Sequence, residues 1–219
     1  LEINFKEFDF EIVLLKEQIF TPGEKRNFAA KNSSGEFLAF IDDDAYPDKN
    51  WLFVANEKIK KMEMRNFILG GPGVLPKDDS LISKIIDISF RSFLYGNARL
   101  RYESKDRKNI YLDDWPSVNM IIEKNFFLNL KGFDKNFWPG EDSKLCNKLI
   151  INGGKIIYIH NMIVNHYRRS NFTKHIKQIF RYSFTRGKLF KANDKNSRKI
   201  IYFLPSIYFV YLFFTIVMN

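Results

Sequence analysis

Three short stretches of this 219-residue chain hold side chains whose types and spacing could do chemistry. The first is Phe40-Ile41-Asp42-Asp43-Asp44-Ala45, in which an apolar run delivers three consecutive carboxylates. The carboxyl end of a strand is where α/β sheets place ligands. Crowded carboxylates repel one another, so a positive partner is expected, most simply a hard divalent cation with oxygen ligands. Mg²⁺ or Mn²⁺ suits such a site, because either keeps positions open for water and phosphate oxygens. Asp42 and Asp44, as alternate residues, can turn toward one cation or toward a ribose. The bland alternative is a solvated turn or helix cap ahead of Pro47. The second stretch is Trp138-Pro139-Gly140-Glu141-Asp142, where two acids follow a Pro-Gly turn and open a helix. A helix N-terminus stabilises negative charge, which explains one carboxylate by capping alone. A general base, which needs a carboxylate facing a cleft, is the other reading. The third is His166, after the apolar run Ile163-Val164. A lone histidine there is more often structural than a ligand, and His160 and His175 stand no differently.

The elements that must position these residues follow from hydrophobic pattern. Phe10–Leu15 and Phe37–Ile41 read as strands, and Asn50–Arg65 as a helix with Trp51, Leu52, Ala55, Ile59 and Met62 at helical spacing. Phe67–Leu69 is a strand running into Gly70-Gly71-Pro72-Gly73, backbone that must turn tightly or lie close to a ligand. Leu81–Leu94 is an apolar helix, Val118–Ile122 a strand, and Glu141–Ile151 a helix closed by Gly153-Gly154. Lys155–Ile159 and Met162–Val164 are strands, and Phe172–Lys191 is a basic amphipathic helix. Strands alternating with helices predict an α/β sandwich around a mainly parallel central sheet.

Composition bounds the classes. At 45% hydrophobic and 27% charged, the chain is neither disordered nor collagen-like. One cysteine, Cys146, excludes an intrachain disulfide framework and a multi-cysteine metal site, and its apolar neighbours make it a core residue. Arg168–Lys199 holds eleven Lys/Arg against one acid, Asp194, and so carries the whole +10 excess. Residues 200–219 carry no charge, and sixteen of the twenty are apolar. About that length crosses a hydrocarbon core, and Pro205 is tolerable in a membrane helix. The expected organisation is therefore a catalytic domain over 1–167, a basic juxtamembrane segment over 168–199, and the start of a transmembrane region over 200–219. Both ends read as cuts through a longer polypeptide.

Lys25-Arg26-Asn27, Ala29-Ala30, Gly35–Asp44, Pro47 and Trp51-Leu52 resemble the first half of a family 2 glycosyltransferase. Gly132-Phe133-Asp134, Gly140-Glu141-Asp142, Leu145, Gly153-Gly154 and Val164-Asn165-His166 resemble the second half, in order. The resemblance covers about residues 10–190. It lacks the family's opening strand, its Gln-rich helix and the Asp that contacts the nucleotide base. It implies a GT-A (nucleotide-diphospho-sugar transferase) fold, a nucleotide-sugar donor and inversion at the anomeric carbon. On this pattern Asp42, Asp44 and His166 are the metal ligands, and Asp142 is the base that takes the acceptor proton, with Glu141 orienting it. Lys25, Arg26, Asp42 and Asp43 face the donor, and Gly71 and Gly73 let backbone approach its sugar. Trp115, Asn119 and Trp138 are expected at the acceptor. Gln178-Ile179-Phe180-Arg181-Tyr182 resembles the Gln-x-x-Arg-Trp element of processive members, with Tyr for Trp.

The expected activity is thus metal-dependent transfer from a nucleotide sugar to a glycan or lipid-linked acceptor at an anionic membrane surface, in cell-surface polysaccharide or glycolipid synthesis. The cytoplasmic side is expected, since basic residues flanking a membrane segment are retained there. A polyprenyl phosphate acceptor is the close variant. From other classes, the basic segment with interleaved aromatics would suit a nucleic-acid binder, and the fold could serve as a non-catalytic glycan-binding module. Nucleic acid is not expected, because an apolar run beside the charges accounts for them by topology.

Overall fold

The computed structural model describes residues 10–13, 21–92, 98–107 and 110–218. Its first helix, α1 (Pro22–Asn32), starts in a capping box in which Thr21 and Glu24 satisfy each other's backbone N–H groups. Strand β1 (Phe37–Ile41) then runs into the aspartate turn, and the short β2 (Ala45–Pro47) leaves it. Helix α2 (Trp51–Lys60), β3 (Phe67–Gly70), β4 (Gly73–Val74) and α3 (Leu81–Phe90) follow. Then come β5 (Tyr111–Leu112), β6 (Asn119–Glu123), α4 (Lys124–Asn129) and α5 (Glu141–Ile151). The chain continues through β7 (Lys155–Tyr158), β8 (Val164–His166) and α6 (Phe172–Lys191). Two 3₁₀ turns, Asn196–Arg198 and Ile200–Tyr202, lead to α7 (Leu204–Val217).

The main sheet has the order β1-β6-β3-β7-β5. β6 pairs antiparallel with both β1 and β3, β7 is parallel to β3, and β5 is antiparallel to β7. The architecture is therefore α/β with a mixed sheet, not the mainly parallel one expected. β1, β3 and β7 do run the same way, as strand–helix alternation demands. β6 departs because the chain has already returned to the opposite end of the sheet before entering it, and it inserts between β1 and β3. Period-2 alternation splits the core into two layers. Ile68, Met120 and Ile122 face the layer of α1, α4 and α5 with Phe127, Leu145, Cys146 and Leu149. Phe67, Leu69 and Ile121 face Trp51 and Ala55 of α2.

A second sheet, β2-β8-β4, sits at the end of the first and carries the site. Its antiparallel register puts Ala45 opposite His166, which brings the aspartate turn beside the histidine.

Of Phe10–Leu15, expected as a strand, residues 10–13 are irregular and the rest lies outside the described residues. The structure gives no support to the transmembrane helix expected to start over 200–219. A 3₁₀ turn and then a 14-residue helix with Pro205 in its first turn take its place, and no helix among the described residues is long and apolar enough to cross a membrane. Proline fits the first turn because its missing N–H has no partner to lose there.

Candidate active site

The end of β1 and the start of α5 meet around one open cleft, lined by Lys25, Arg26, Asp42, Asp43, Asp44, Trp138, Glu141 and Asp142 and walled on one side by α6. Arg26, on α1, ties the two acidic motifs together. Its guanidinium lies 2.6 Å from Asp42 Oδ1 and 3.2 Å from Glu141 Oε1. The neighbouring Asn27 donates to the Phe133 carbonyl at 2.8 Å and accepts from its N–H at 2.9 Å. Gly132, at φ +57°, has no room for a Cβ beside that amide. The Lys25-Arg26-Asn27 and Gly132-Phe133 stretches thus hold one another, although 106 residues separate Asn27 from Phe133.

Asp42, Asp44 and His166 each offer one ligand atom, all within 4.8 Å of one another. His166 Nε2 lies 3.1 Å from Asp44 Oδ1, and Arg169 Nη1 lies 3.5 Å from Asp44 Oδ2. The His166 hydrogen bond holds the Asp44 carboxyl below its usual range against the opposing effect of burial. Two carboxylates and an imidazole fit a divalent cation, and the nitrogen donor favours Mn²⁺ over the all-oxygen preference of Mg²⁺. Behind the cluster stands Arg168, which the sequence presents merely as part of the basic run. It is buried, forms an ion pair with Asp87 of α3 at 3.1 Å, donates to the Gly73 carbonyl at 2.5 Å and reaches His166 Nδ1 at 2.9 Å. Asp87 leaves a signal in sequence, a lone carboxylate inside an apolar helix, which Leu81–Phe90 does not otherwise require.

Asp142 lies in the first turn of α5, behind an N-cap Gly140 at φ +111°. Its Oδ1 accepts from the Ser143 N–H at 2.8 Å and its Oδ2 from the Ser117 N–H at 3.4 Å. Burial, then the charges of Glu141 and Asp114, push its carboxyl up to about 7, with Arg26 pulling the other way. A carboxylate poised there can take and return a proton near neutral pH. Asp114, unremarked in the sequence, is buried and accepts from Arg101, Arg186 and Ser143.

Other expected site residues have other work. Trp115 is 1% exposed and donates its indole N–H to the Asn119 carbonyl at 3.0 Å, so it is core, not an acceptor contact. Asn119 is fully buried. It accepts from Trp51 and donates to the Pro72 and Met162 carbonyls, pinning the Gly-rich turn. A Cβ on Gly71 would stand 1.8 Å from the Met162 carbonyl oxygen, so this glycine makes room for protein backbone rather than for a sugar. Gly73 abuts His166 and supports the cluster from behind. Trp138 is 53% exposed on the cleft, with Arg181 over its ring at 5.9 Å. Lys25 and Asp43 line the cleft. Cys146 is buried under Trp115, and burial drives its thiol well above the ordinary range.

An α/β fold with a mixed sheet, an Asp-Asp-Asp turn facing a histidine and a Glu-Asp pair across the cleft defines the class. Residues 4–129 match the family model for glycosyl transferase family 2, and the chain belongs to that family. Over 175 residues it is 25% identical to the dolichyl N-acetyl-α-D-glucosaminyl phosphate 3-β-D-2,3-diacetamido-2,3-dideoxy-β-D-glucuronosyltransferase of Methanococcus voltae, covering 78% of this chain and 52% of that protein. The chain thus spans about half the length of the curated relative it matches. Among solved structures, GalNAc-T7 with UDP, GalNAc and Mn²⁺ superposes with a TM-score of 0.48 at 17% identity, over 68% of this chain and 30% of that one. S. aureus TarS 1–349 in complex with UDP-GlcNAc does so with a TM-score of 0.48 at 17% identity, over 77% and 45%.

Proposed function

We propose that the protein is a metal-dependent, inverting glycosyltransferase that moves a sugar from a nucleotide-sugar donor to a lipid-linked acceptor in cell-surface glycan synthesis. The observation that carries this reading is that Asp42, Asp44 and Asp142 line one cleft, with His166 within ligand reach of both aspartates and Arg26 bridging Asp42 and Glu141. Asp142 takes the proton from the attacking acceptor hydroxyl in a single displacement. Glu141, held by Arg26, fixes the turn from which Asp142 projects. Asp42, Asp44 and His166 would hold Mn²⁺ or Mg²⁺, which when bound supplies Lewis-acid neutralisation of the diphosphate as it leaves. Trp138 offers an exposed ring on which an acceptor sugar can stack. The lipid-linked acceptor is supported by the Methanococcus voltae relative, whose named acceptor is a dolichyl-linked sugar phosphate.

Attachment to the cytoplasmic face of the cell membrane belongs to the same reading, as interfacial contact rather than by a span within the described residues. Helix α6 exposes Phe172, Ile176, Phe180 and Phe184 at i+4 spacing, each between 53 and 71% exposed, beside Lys174, Lys177, Arg181 and Lys188. A basic helix with an aromatic stripe lies in a lipid headgroup region.

The test is a donor screen on the full chain with Mn²⁺, membrane lipid extract and UDP-, GDP- and dTDP-linked sugars, read by nucleoside diphosphate release. Release that needs the metal, and that Asp142→Asn abolishes while keeping donor binding, is the expected result. Separately, Asp44→Ala and His166→Ala should weaken Mn²⁺-dependent donor binding in calorimetry. Release indifferent to chelator, or to all three substitutions, would overturn the reading.

A further inference from the structure

Helix α6 is more than a basic segment beside the catalytic fold, because it packs on the turn that carries the base. Thr185 and Leu189 are its buried residues, and a Cβ on Gly140 would stand 2.5 Å from Thr185 Cγ2. One turn of α6 thus rests against the residue preceding Glu141 and Asp142. From the same turn Arg186 reaches inward, its Nη2 3.1 Å from Asp114 Oδ2. That single oxygen also accepts from Ser143 Oγ at 2.9 Å and lies 3.2 Å from Arg101 Nη2. Ser143 is therefore held at two points, by its hydroxyl on Asp114 and by its N–H on Asp142 Oδ1 at 2.8 Å. On its other side Arg186 donates to Ser197 Oγ at 3.2 Å and stacks over Tyr202, with Cζ 4.3 Å from the ring centroid. A buried carboxylate is stable in one orientation only when its donors are fixed, and a guanidinium clamped between Tyr202 and Ser197 is such a donor.

Resting on the transferase reading above, we propose that Arg186 is a positioning residue for the transfer, orienting Asp142 through Asp114 and Ser143. The basic helix is then part of the catalytic unit, and its seating on α5 sets the direction in which the base points. Arg101 still pairs Asp114 when Arg186 is replaced, and Thr185 and Leu189 still pack. Loss of the guanidinium should leave a folded protein with a loosened base.

The test uses the full chain and the donor that the screen selects, comparing Arg186→Met, Arg186→Lys, Ser143→Ala and the Arg186→Met/Ser143→Ala pair. For Arg186→Met, kcat should fall about 10- to 100-fold, the scale of a small misplacement of a catalytic group, while donor KM stays within about threefold. Arg186→Lys should recover part of kcat, and the double variant should lose no more than the worse single one, since both act on one relay. An unchanged kcat in Arg186→Met, losses that multiply in the pair, or a kcat loss equal to the loss of folded protein would each overturn the proposal. If wild-type protein transfers normally and Arg186→Met matches it, only this inference fails. If wild-type protein releases no nucleoside diphosphate from any donor, the transferase reading fails and takes this one with it.

Discussion

Asp142 is the residue in which burial and function pull hardest against each other. Its carboxyl is pushed up to about 7 by burial first, then by Glu141 and Asp114. Two consequences follow, with signs that can be checked. The base must be ionised to accept a proton, so kcat/KM should fall as pH drops below about 7. Because the folded pKa is raised, the native state keeps this proton between the ordinary value of 3.8 and about 7, and stability present at low pH is lost as pH rises through that window. Asp142→Asn removes the titration. Its melting temperature relative to wild type should therefore rise between pH 5 and pH 8, while turnover falls by about 10²- to 10⁴-fold. Thermal melts of both proteins at the two pH values check the first expectation, and saturating kinetics check the second. At this scale the sequence reveals type but not burial. The structure brings Asp42, Asp44 and His166 together, but residue type alone singled out only the acids, and the family resemblance added His166. Trp115 and Asn119 look like sugar contacts from type alone, yet the hydrogen bonds that bury Asn119 reach across the fold, to Trp51 68 positions away.

Elements were legible where hydrophobic period and caps agree. β1, α5 and α6 form over the expected residues, and α2 and α3 stop a few residues short of them. α1 gave no periodic signal, because it buries only Gly23 and Ala30 and owes its start to the Thr21–Glu24 capping box. Strand direction was not legible either, since the insertion of β6 between β1 and β3 is fixed by long-range pairing, not by local pattern. Two substitutions probe this level. Gly71→Ala forces a Cβ against backbone at the Met162 carbonyl, where no side chain can yield, and should cost about 3 kcal/mol in chemical denaturation. Arg168→Met removes one of the two guanidinium partners of the buried Asp87 and the donor to the Gly73 carbonyl, and should cost about 1.5–3 kcal/mol, the scale of a lost charged hydrogen bond. A variant with wild-type stability would mean that Arg91, which also pairs with Asp87 at 2.8 Å, suffices alone.

For the whole molecule, the distribution of exposed apolar surface matters more than its amount. Leu81, Ile82, Ile85 and Ile88 stand out from α3, the aromatic stripe stands out from α6, and α7 is apolar around its full circumference. The buried face of α3 meets the start of α6 where Phe90 packs edge-on against His175 at 5.4 Å, and Arg168 joins Asp87. Patches of this kind on a soluble surface mark a partner or a membrane. On the proposed membrane reading, the flanking Lys174, Lys177, Lys188 and Lys191 would favour an anionic bilayer, since each basic residue near such a surface contributes roughly 1 kcal/mol. Burying one large apolar side chain adds about 1.5–3 kcal/mol, so the stripe and the charges are comparable and separable. The full chain should co-sediment with phosphatidylglycerol vesicles and only weakly with phosphatidylcholine ones. Raising the salt should weaken the first by screening. Phe180→Glu, which puts a charge at the centre of the stripe and touches no cleft residue of the acidic motifs, should reduce binding at every salt concentration and leave Mn²⁺ affinity unchanged. Replacing Lys174 and Lys177 by Gln should instead reduce the salt dependence itself. Equal binding to neutral and anionic vesicles, or no effect of Phe180→Glu, would mean that α6 meets a protein partner rather than lipid.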